Sequence, residues 1–278
     1  MRGTGSWPCA WVWSRRARQI ATARDTTTAW GPRRPGRIWS TSSTGAPARR
    51  LGSVPGSIDF VFLDIGGVLY DDRIYAEAWR RALREAGGRF TDEDFDEVYA
   101  ACRAAQDGSF RRRLADRFIG PDADLASLEH RASRHWHYPP SALHPDVLQS
   151  LEALRDAGFR LGVIANQPTQ VRAALERDGL VPFFEVWGVS DDLGLQKPDP
   201  ALFVHGVRTA GVEPARAVMV GDRLDYDVRP AKVAGLRTVW VLRGEAPDLP
   251  TPEQLAEPDA AVADLRGLPE VIEDLARR

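Results

Sequence analysis

The sequence predicts an α/β fold in which a doubly wound parallel sheet carries an all-helical insertion. Two observations favour this fold. Short apolar runs alternate with longer helical patterns over most of the chain, which is typical of consecutive βαβ units. The alternation breaks once, at residues 73–139, where helical patterns follow one another without a strand. The 278 residues, 43% hydrophobic and 27% charged, are enough to bury a sizeable core.

The first strand is predicted at residues 58–63, a nearly continuous apolar run that ends at Asp64 and is followed by Gly66 and Gly67. Such a run before a glycine pair is typical of a strand buried on both faces that leads into a tight turn. Further strands are predicted at 159–165, 184–189, 217–220, 238–242 and 260–262. Helices are predicted between them at 147–157, 168–178, 200–210 and 227–234. Right-handed crossovers between parallel strands then place helices on both faces of the sheet.

The insertion is predicted to hold three or four helical stretches, at 74–86, 92–105, 110–118 and 125–136. We interpret residues 73–139 as a small second domain, which leaves 58–72 and 140–278 for the α/β core. A helical domain inserted after the first strand would cover the carboxyl ends of the strands. Ligands bind at those ends in sheets of this kind.

Residues 1–57 differ in composition from the rest of the chain. They contain ten Arg, a single acidic residue (Asp25) and five of the nine Trp, without apolar periodicity. We expect a disordered basic leader or translated upstream sequence from a misplaced start. An organellar transit peptide is the alternative that this Arg-rich, acid-poor composition leaves open.

Charge and cysteine content limit the partners and the compartment. The net charge of −2 argues against binding nucleic acid by bulk positive charge, and no apolar run is long enough to span a membrane. Two cysteines cannot form a disulfide framework. We therefore expect a cytoplasmic protein with neither nucleic-acid nor membrane partners. The choice between monomer and homodimer stays open.

Polar residues follow the predicted strands where each strand ends. Because these ends meet at one edge of the sheet, we expect a shared cleft. The residues in question are Asp64, Asn166, Lys197, Asp222 and Asp227. Clustered carboxylates repel one another unless a cation lies between them, and an oxygen-only set suits Mg²⁺ better than Zn²⁺. A lysine beside the metal would supply a fixed positive charge for a phosphoryl oxygen or a nucleophilic carboxylate.

These segments resemble the four motifs of the haloacid dehalogenase-like (HAD) hydrolase superfamily. The similarity covers about residues 58–265, and the four matching features occur in the family's order. They are Asp64 in Phe-Leu-Asp-Ile-Gly-Gly-Val-Leu, the strand ending in Asn166, Lys197-Pro-Asp-Pro, and Gly221-Asp222 with Asp227 five residues later. The sheet would be the Rossmann-like HAD core. The insertion resembles the C1-type cap of the phosphatase and dehalogenase branch.

The resemblance implies that Asp64 is the nucleophile and attacks phosphorus to give an aspartyl-phosphate. It implies that Asp64 and Asp222 bind Mg²⁺ together with the backbone carbonyl of Gly66. Asp227, counted with the metal site, would orient Lys197 or a metal-bound water. Lys197 would steady the charge of the nucleophile.

The same resemblance implies a phosphate-binding set. Its members are Asn166, Gly67 and Lys197.

Two positions depart from the family pattern. The residue two places after the nucleophile is usually an Asp that transfers protons, and here it is Gly66. Because such proton transfer contributes on the order of 10²- to 10⁴-fold, its loss favours substrates with good leaving groups or requires a substitute. Tyr70, Asp71 or a residue of the insertion are candidates. Ala165 replaces the usual Ser or Thr, which leaves Asn166 and backbone N–H groups to bind phosphate.

Other polar residues near the motifs have ordinary structural interpretations. Asp71 and Asp72 can cap the first inserted helix, and Asp225 can be a cap or simply solvated. Residues 111–113, three consecutive Arg, are typical of a solvated helix face, although an anionic substrate could also contact them.

Three functions follow from these observations. The first is a Mg²⁺-dependent phosphatase acting on a small phosphorylated metabolite. The second is a 2-haloacid dehalogenase-type hydrolase without a metal. The third is a non-catalytic HAD-fold binding or regulatory protein, which the glycine and alanine departures favour. Retention of the full charged set, Asp64, Lys197, Asp222 and Asp227, favours an enzyme, because clustered buried charges are costly to a scaffold without chemistry.

Overall fold

A computed structural model describes residues 57–277 of the chain, so the prediction for residues 1–57 lies outside it except at Ser57. Six strands form one parallel sheet: β1 (Phe60–Leu63), β2 (Arg160–Ala165), β3 (Phe184–Val189), β4 (Ala217–Gly221), β5 (Arg237–Val241) and β6 (Ala260–Val262). Their spatial order is β3-β2-β1-β4-β5-β6. The chain builds the sheet outward from β1, first in one direction and then in the other. This order confirms the doubly wound fold.

Strand β1 occupies the centre of the sheet and pairs with both β2 and β4. All four of its side chains are buried. Phe60 and Phe62 belong to the hydrophobic core on one face, and Val61 and Leu63 belong to the core on the other. A strand covered on both faces has no polar positions, which explains the unbroken apolar run.

The segment after β1 forms four helices: α1 (Arg73–Glu85), α2 (Asp92–Ala105), α3 (Phe110–Phe118) and α4 (Leu125–Ser133). The structure describes the whole of residues 73–139 and contains no strand there. These helices share a hydrophobic core of their own, in which Trp79, Phe95 and Leu114 are fully buried. The predicted all-helical insertion is thereby confirmed.

The remaining helices cover the sheet: α5 (Val147–Asp156), α6 (Val171–Arg177), α7 (Ser190–Leu193), α8 (Pro200–Ala210), α9 (Arg229–Val233), α10 (Pro252–Leu255) and α11 (Leu268–Ala276). The apolar faces of α5, α6 and α11 pack on the face of the sheet that carries Val61 and Leu63. Those of α8 and α9 pack on the opposite face. Among the helices that the structure describes, none has the length and apolarity needed to cross a membrane.

Two predicted helices begin later than the sequence suggests. The helix predicted at 168–178 starts at Val171, whose N–H donates to the Pro168 carbonyl at 3.0 Å. The helix predicted at 227–234 is preceded by a π-helical turn at Leu224–Val228, and only α9 is α-helical. At this turn the carboxylate of Asp227 accepts hydrogen bonds from Lys197 Nζ and from the Arg223 N–H.

Helix α5 provides a matched test of this packing. Leu151 is 0% exposed against the sheet, whereas Leu148 on the same helix is 45% exposed. We expect Leu151→Ala to lower the free energy of unfolding by about 2–5 kcal/mol, because it leaves a cavity. Leu148→Ala should change it by less than about 0.5 kcal/mol. Urea denaturation of both variants measures the difference, and equal losses would contradict the packing of α5.

Candidate active site

The structure brings the charged residues of the predicted site together at the carboxyl edge of the sheet. Asp64 follows β1, and Asp222 follows the neighbouring strand β4. Lys197 precedes α8, and Asp227 lies in the π-helical turn. Each of these residues lies next to the end of a strand or the start of a helix. The fold therefore places their side chains together at the carboxyl edge of the sheet.

Lys197 lies at the centre of the cluster and is only 3% exposed. Its Nζ lies 2.8 Å from Asp64 Oδ2 and donates to Asp227 Oδ1 at 2.6 Å. Burial alone would lower the pKa of Lys197, but the carboxylates of Asp227 and Asp64 raise it above its ordinary value. The ammonium group therefore stays charged and holds the two carboxylates on either side of it.

Asn166 holds the main chain of Lys197. Its Nδ2 donates to the Lys197 carbonyl at 2.8 Å, and its Oδ1 accepts from the Lys197 N–H at 2.7 Å. Both ends of the amide are engaged, so the structure gives Asn166 a positioning contact with the lysine. Its role as a phosphate ligand stays a prediction.

Asp227 and Asp222 are held in different ways. Asp227 is fully buried, and its second oxygen, Oδ2, accepts from the Arg223 N–H at 3.0 Å. Both of its oxygens are thus engaged, which supports the role of orienting Lys197. Asp222 accepts the Glu245 N–H through Oδ2 at 2.6 Å.

Oxygen atoms of Asp64, Asp222 and Asp227 all lie within 4.8 Å of one another. Burial raises the pKa of Asp64 to about 6, and the negative charge of Asp227 adds to the effect, while Lys197 opposes it. Burial, followed by the charges of Asp227 and Asp64, raises the pKa of Asp222 well above its ordinary value. One ammonium does not compensate three carboxylates. This oxygen-only cluster can hold a divalent cation, which would relieve the remaining repulsion.

The carboxylate of Asp222 is enclosed by two glycines. A Cβ at Gly67 would lie 1.9 Å from Asp222 Oδ2, and one at Gly244 would lie 2.4 Å from the same oxygen. Both glycines have positive φ, +69° and +60°. The N–H of Gly67 donates to the Tyr70 carbonyl at 2.8 Å. The structure thus gives Gly67 a steric role beside Asp222, and its role in binding phosphate stays a prediction.

A second polar cluster, centred on Asp72, was not predicted. Asp72 occupies the N-cap position of α1, yet its side chain makes no capping hydrogen bond. Instead, Oδ1 accepts from the Tyr138 hydroxyl at 2.7 Å, and that hydroxyl lies 3.4 Å from Gln167 Nε2. The expectation that the Asp72 side chain caps α1 is therefore wrong. Burial, and then the negative charge of Glu245, raise the pKa of Asp72 to about 8.

No sequence signal pointed to the contact between Asp72 and Tyr138. The two residues are 66 positions apart. Tyr138 lies in an irregular segment after α4, where no periodicity indicates which way a side chain points. Only the place of Asp72, shortly after the first motif, could have drawn attention to it.

Asp225 connects the core to the insertion, and the expectation that it is a cap or solvated is wrong. It accepts from Arg223 Nη2 at 2.8 Å and from the Gly108 N–H at 2.8 Å. Arg223 also donates to Glu245 at 2.6 Å. Nearby, the buried side chain of Gln106 accepts from the Leu224 N–H at 2.8 Å. The turn between α2 and α3 is thereby bonded to the loop that carries Asp222 and Asp227.

The geometry of Asp64, Lys197, Asp222 and Asp227 agrees with a family assignment. Residues 58–235 match the model of the haloacid dehalogenase-like hydrolases. The chain belongs to this family.

Two curated relatives illustrate the similarity to other HAD proteins. The chain is 32% identical over 234 residues to a glyceraldehyde 3-phosphate phosphatase of Methanopyrus kandleri, covering 79% of this chain and 99% of the relative. It is 34% identical over 188 residues to a phosphoserine phosphatase of Thermus thermophilus, covering 66% of this chain and 72% of the relative. Among solved structures, a HAD phosphatase from Thermococcus onnurineus superposes with a TM-score of 0.51 at 25% identity, covering 77% of this chain and 98% of that chain.

The glycine contact with Asp222 in this HAD hydrolase can be tested against a matched control. Gly179 has a positive φ of +73° like Gly67, but a Cβ there meets nothing within 4 Å. We expect Gly179→Ala to cost about 1–2 kcal/mol of unfolding free energy from backbone strain alone. Gly67→Ala should cost about 2–5 kcal/mol, since the new methyl group also displaces Asp222. Equal costs in urea denaturation would show that the close approach at Gly67 is relaxed in solution.

Proposed function

We propose that the chain is a Mg²⁺-dependent phosphatase that hydrolyses a small phosphorylated metabolite through an aspartyl-phosphate on Asp64. The observation that carries the proposal is the placement of Lys197 Nζ, 2.8 Å from Asp64 and 2.6 Å from Asp227, beside the three-carboxylate cluster. Groups with strongly shifted pKa values that share one charged cluster are typical of active sites.

The names of the relatives support the substrate class. The proteins from Methanopyrus kandleri and Thermus thermophilus are named as phosphatases of glyceraldehyde 3-phosphate and phosphoserine. Both compounds are small phosphate monoesters. The match to nearly the full length of the first relative, 99%, favours a phosphatase over a dehalogenase or a non-catalytic protein.

Asp64 is the carboxylate best placed to act as nucleophile. It is 9% exposed, whereas Asp222 is 2% and Asp227 is 0% exposed, so Asp64 is the member of the cluster that a substrate can reach. Its Oδ1 accepts from the Ile65 N–H at 2.7 Å, which fixes the orientation of the carboxylate. In-line attack by Asp64 on phosphorus forms the aspartyl-phosphate and releases the alcohol, and water then hydrolyses the aspartyl-phosphate.

Lys197 would stabilise the negative charge of the transferring phosphoryl group. The lysine is fixed before substrate arrives, because Asp227 holds its ammonium group and Asn166 holds its main chain. A charge that is already oriented in a buried site stabilises a transition state without reorganisation.

The metal site would consist of Asp64, Asp222 and the Gly66 carbonyl, with Asp227 beside them. The cluster contains oxygen donors and neither His nor Cys, which suits Mg²⁺. When bound, Mg²⁺ would neutralise charge on the phosphoryl oxygens.

Phosphate release tests the catalytic proposal. We expect the wild type to hydrolyse p-nitrophenyl phosphate and members of a panel of sugar and nucleotide phosphates. This hydrolysis should stop when EDTA removes Mg²⁺. Asp64→Asn should lower kcat by at least about 10³-fold, since it removes the nucleophile. The exposed Asp156 on α5 offers a control, and Asp156→Asn should leave kcat unchanged.

Two results would contradict the proposal. One is the absence of turnover by the wild type on every ester, with and without Mg²⁺. The other is metal-independent release of halide from 2-haloacids, which would favour the dehalogenase alternative.

Thermal unfolding tests the metal site independently of turnover. Mg²⁺ that binds only the folded protein stabilises it by about 2.7 kcal/mol at a concentration 100 times its Kd. We expect the Tm of the wild type and of Asp156→Asn to rise with Mg²⁺, and the Tm of Asp222→Asn to rise much less. If Mg²⁺ raised the Tm of Asp222→Asn as much as that of the wild type, the metal would bind at a site that does not include Asp222.

A further inference from the structure

We propose that the Asp72 carboxyl group is the catalytic acid and base of this site, giving a proton to the departing alcohol and later taking one from the attacking water. This inference rests on the proposed phosphatase function. It assigns a further catalytic residue, contributed by the first helix of the insertion.

The position of the carboxyl group carries the inference. Gly66 lies two residues after the nucleophile and has no side chain. A Cβ built on Gly66 would lie 2.6 Å from Asp72 Oδ2, 2.7 Å from its Oδ1 and 2.8 Å from its Cγ. The carboxyl group of Asp72 therefore fills the space into which a side chain at position 66 would extend. It reaches that space from a residue six positions further along the chain.

The carboxyl group is held at one oxygen and available at the other. Tyr138 donates to Oδ1 at 2.7 Å, and its ring is stacked on Tyr70 with ring centroids 4.5 Å apart. Within residues 57–277, no hydrogen-bond donor is bonded to Oδ2. The carboxyl group lies against Gly66, two residues after the nucleophile, with one oxygen free of protein donors. Proton transfer to a leaving group requires a fixed and available carboxyl group of this kind.

Two other carboxylates near the nucleophile, those of Asp227 and Glu245, have both oxygens engaged. Asp227 accepts from Lys197 and from the Arg223 N–H. Glu245 accepts from the Tyr99 hydroxyl at 2.8 Å and from Arg223 Nη1 at 2.6 Å. Neither carboxylate offers an oxygen without a protein donor, unlike Asp72.

The two candidates named from the sequence are also engaged elsewhere. The Tyr70 hydroxyl donates to Asp178 at 2.9 Å. The carboxylate of Asp71 accepts from Arg73 Nε at 2.9 Å and from the Arg73 N–H at 3.0 Å. Asp72 combines an oxygen free of protein donors with a position against Gly66, so it can replace the side chain missing there.

The proton balance of the reaction is complete with Asp72. In the first step an oxygen of Asp64 bonds to phosphorus and the ester P–O bond breaks. Its electron pair stays on the ester oxygen, which takes the proton of Asp72 and leaves as an alcohol. In the second step water bonds to phosphorus and gives a proton to the Asp72 carboxylate, while the bond from phosphorus to Asp64 breaks. Inorganic phosphate leaves, and both carboxyl groups return to their starting state.

Two esters with different leaving groups separate proton donation from other effects. The constant kcat/KM, which reports the first chemical step, is measured for two esters. The alkoxide released from glycerol phosphate needs a proton, whereas the phenolate released from p-nitrophenyl phosphate leaves without one. We expect Asp72→Asn to lower kcat/KM for glycerol phosphate by about 10²- to 10⁴-fold and for p-nitrophenyl phosphate by less than about tenfold. The variant should also show a burst of nitrophenol, because the second step still lacks its base.

Asp71→Asn is the matched control, a neighbouring carboxylate bound to Arg73, and it should leave both constants unchanged. Wild-type protein that hydrolyses neither ester overturns the phosphatase function itself. The role of Asp72 alone is overturned if hydrolysis depends on Asp64 but the Asp72→Asn variant keeps its activity on glycerol phosphate. Equal losses on both esters also overturn it, since they would indicate a structural effect.

Moving the carboxyl group back provides a second test. Asp72→Ala removes the group that a side chain at position 66 would meet, and Gly66 does not have a positive φ. We expect the double variant Gly66→Asp/Asp72→Ala to exceed Asp72→Ala in kcat/KM for glycerol phosphate by at least about tenfold. No gain in a double variant that keeps the wild-type Tm would contradict the equivalence of the two positions.

Discussion

The burial of one ammonium group among carboxylates is the interaction on which the site depends. Lys197 is 3% exposed and touches Asp64 and Asp227, which would otherwise be unpaired charges in the interior. Much of the surrounding structure keeps this contact in place. Asn166 fixes the lysine main chain, and the π-helical turn aims Asp227 at the ammonium group. Three carboxylates against one lysine leave an excess of negative charge, and that excess makes the cluster a place for a cation.

The sheet and the charged cluster could be predicted from the sequence because both follow from local rules. A strand covered on both faces must be apolar throughout, and its end marks where polar residues can reach a cleft. Asp64, Asp222 and Asp227 satisfy these rules and lie together as expected. The contacts of Asp72 with Tyr138 and of Asp225 with Gly108 could not be predicted. Each joins residues more than 60 positions apart, outside any periodic pattern.

The adjacent glycines after the first strand show that residue type alone does not reveal why a position requires glycine. The sequence indicated a single tight turn for Gly66 and Gly67. In the structure Gly67 has a positive φ and lies against Asp222, so both backbone conformation and space require glycine there. Gly66 does not have a positive φ, and the three atoms nearest to a Cβ built there all belong to the carboxyl group of Asp72. Two neighbouring glycines are thus explained by two different side chains, one that follows β4 and one that precedes α1.

The location of Asp72 at the N-terminus of α1 has a mechanical consequence. Asp64 is anchored in the sheet, whereas Asp72 begins the helix that carries Trp79 into the core of the insertion. A rigid displacement of α1 away from β1 withdraws one carboxyl group from the other. A side chain at position 66 would stay with the sheet during the same movement. Asp72 can therefore transfer protons at the site of Asp64 only while the inserted helices are packed on the sheet.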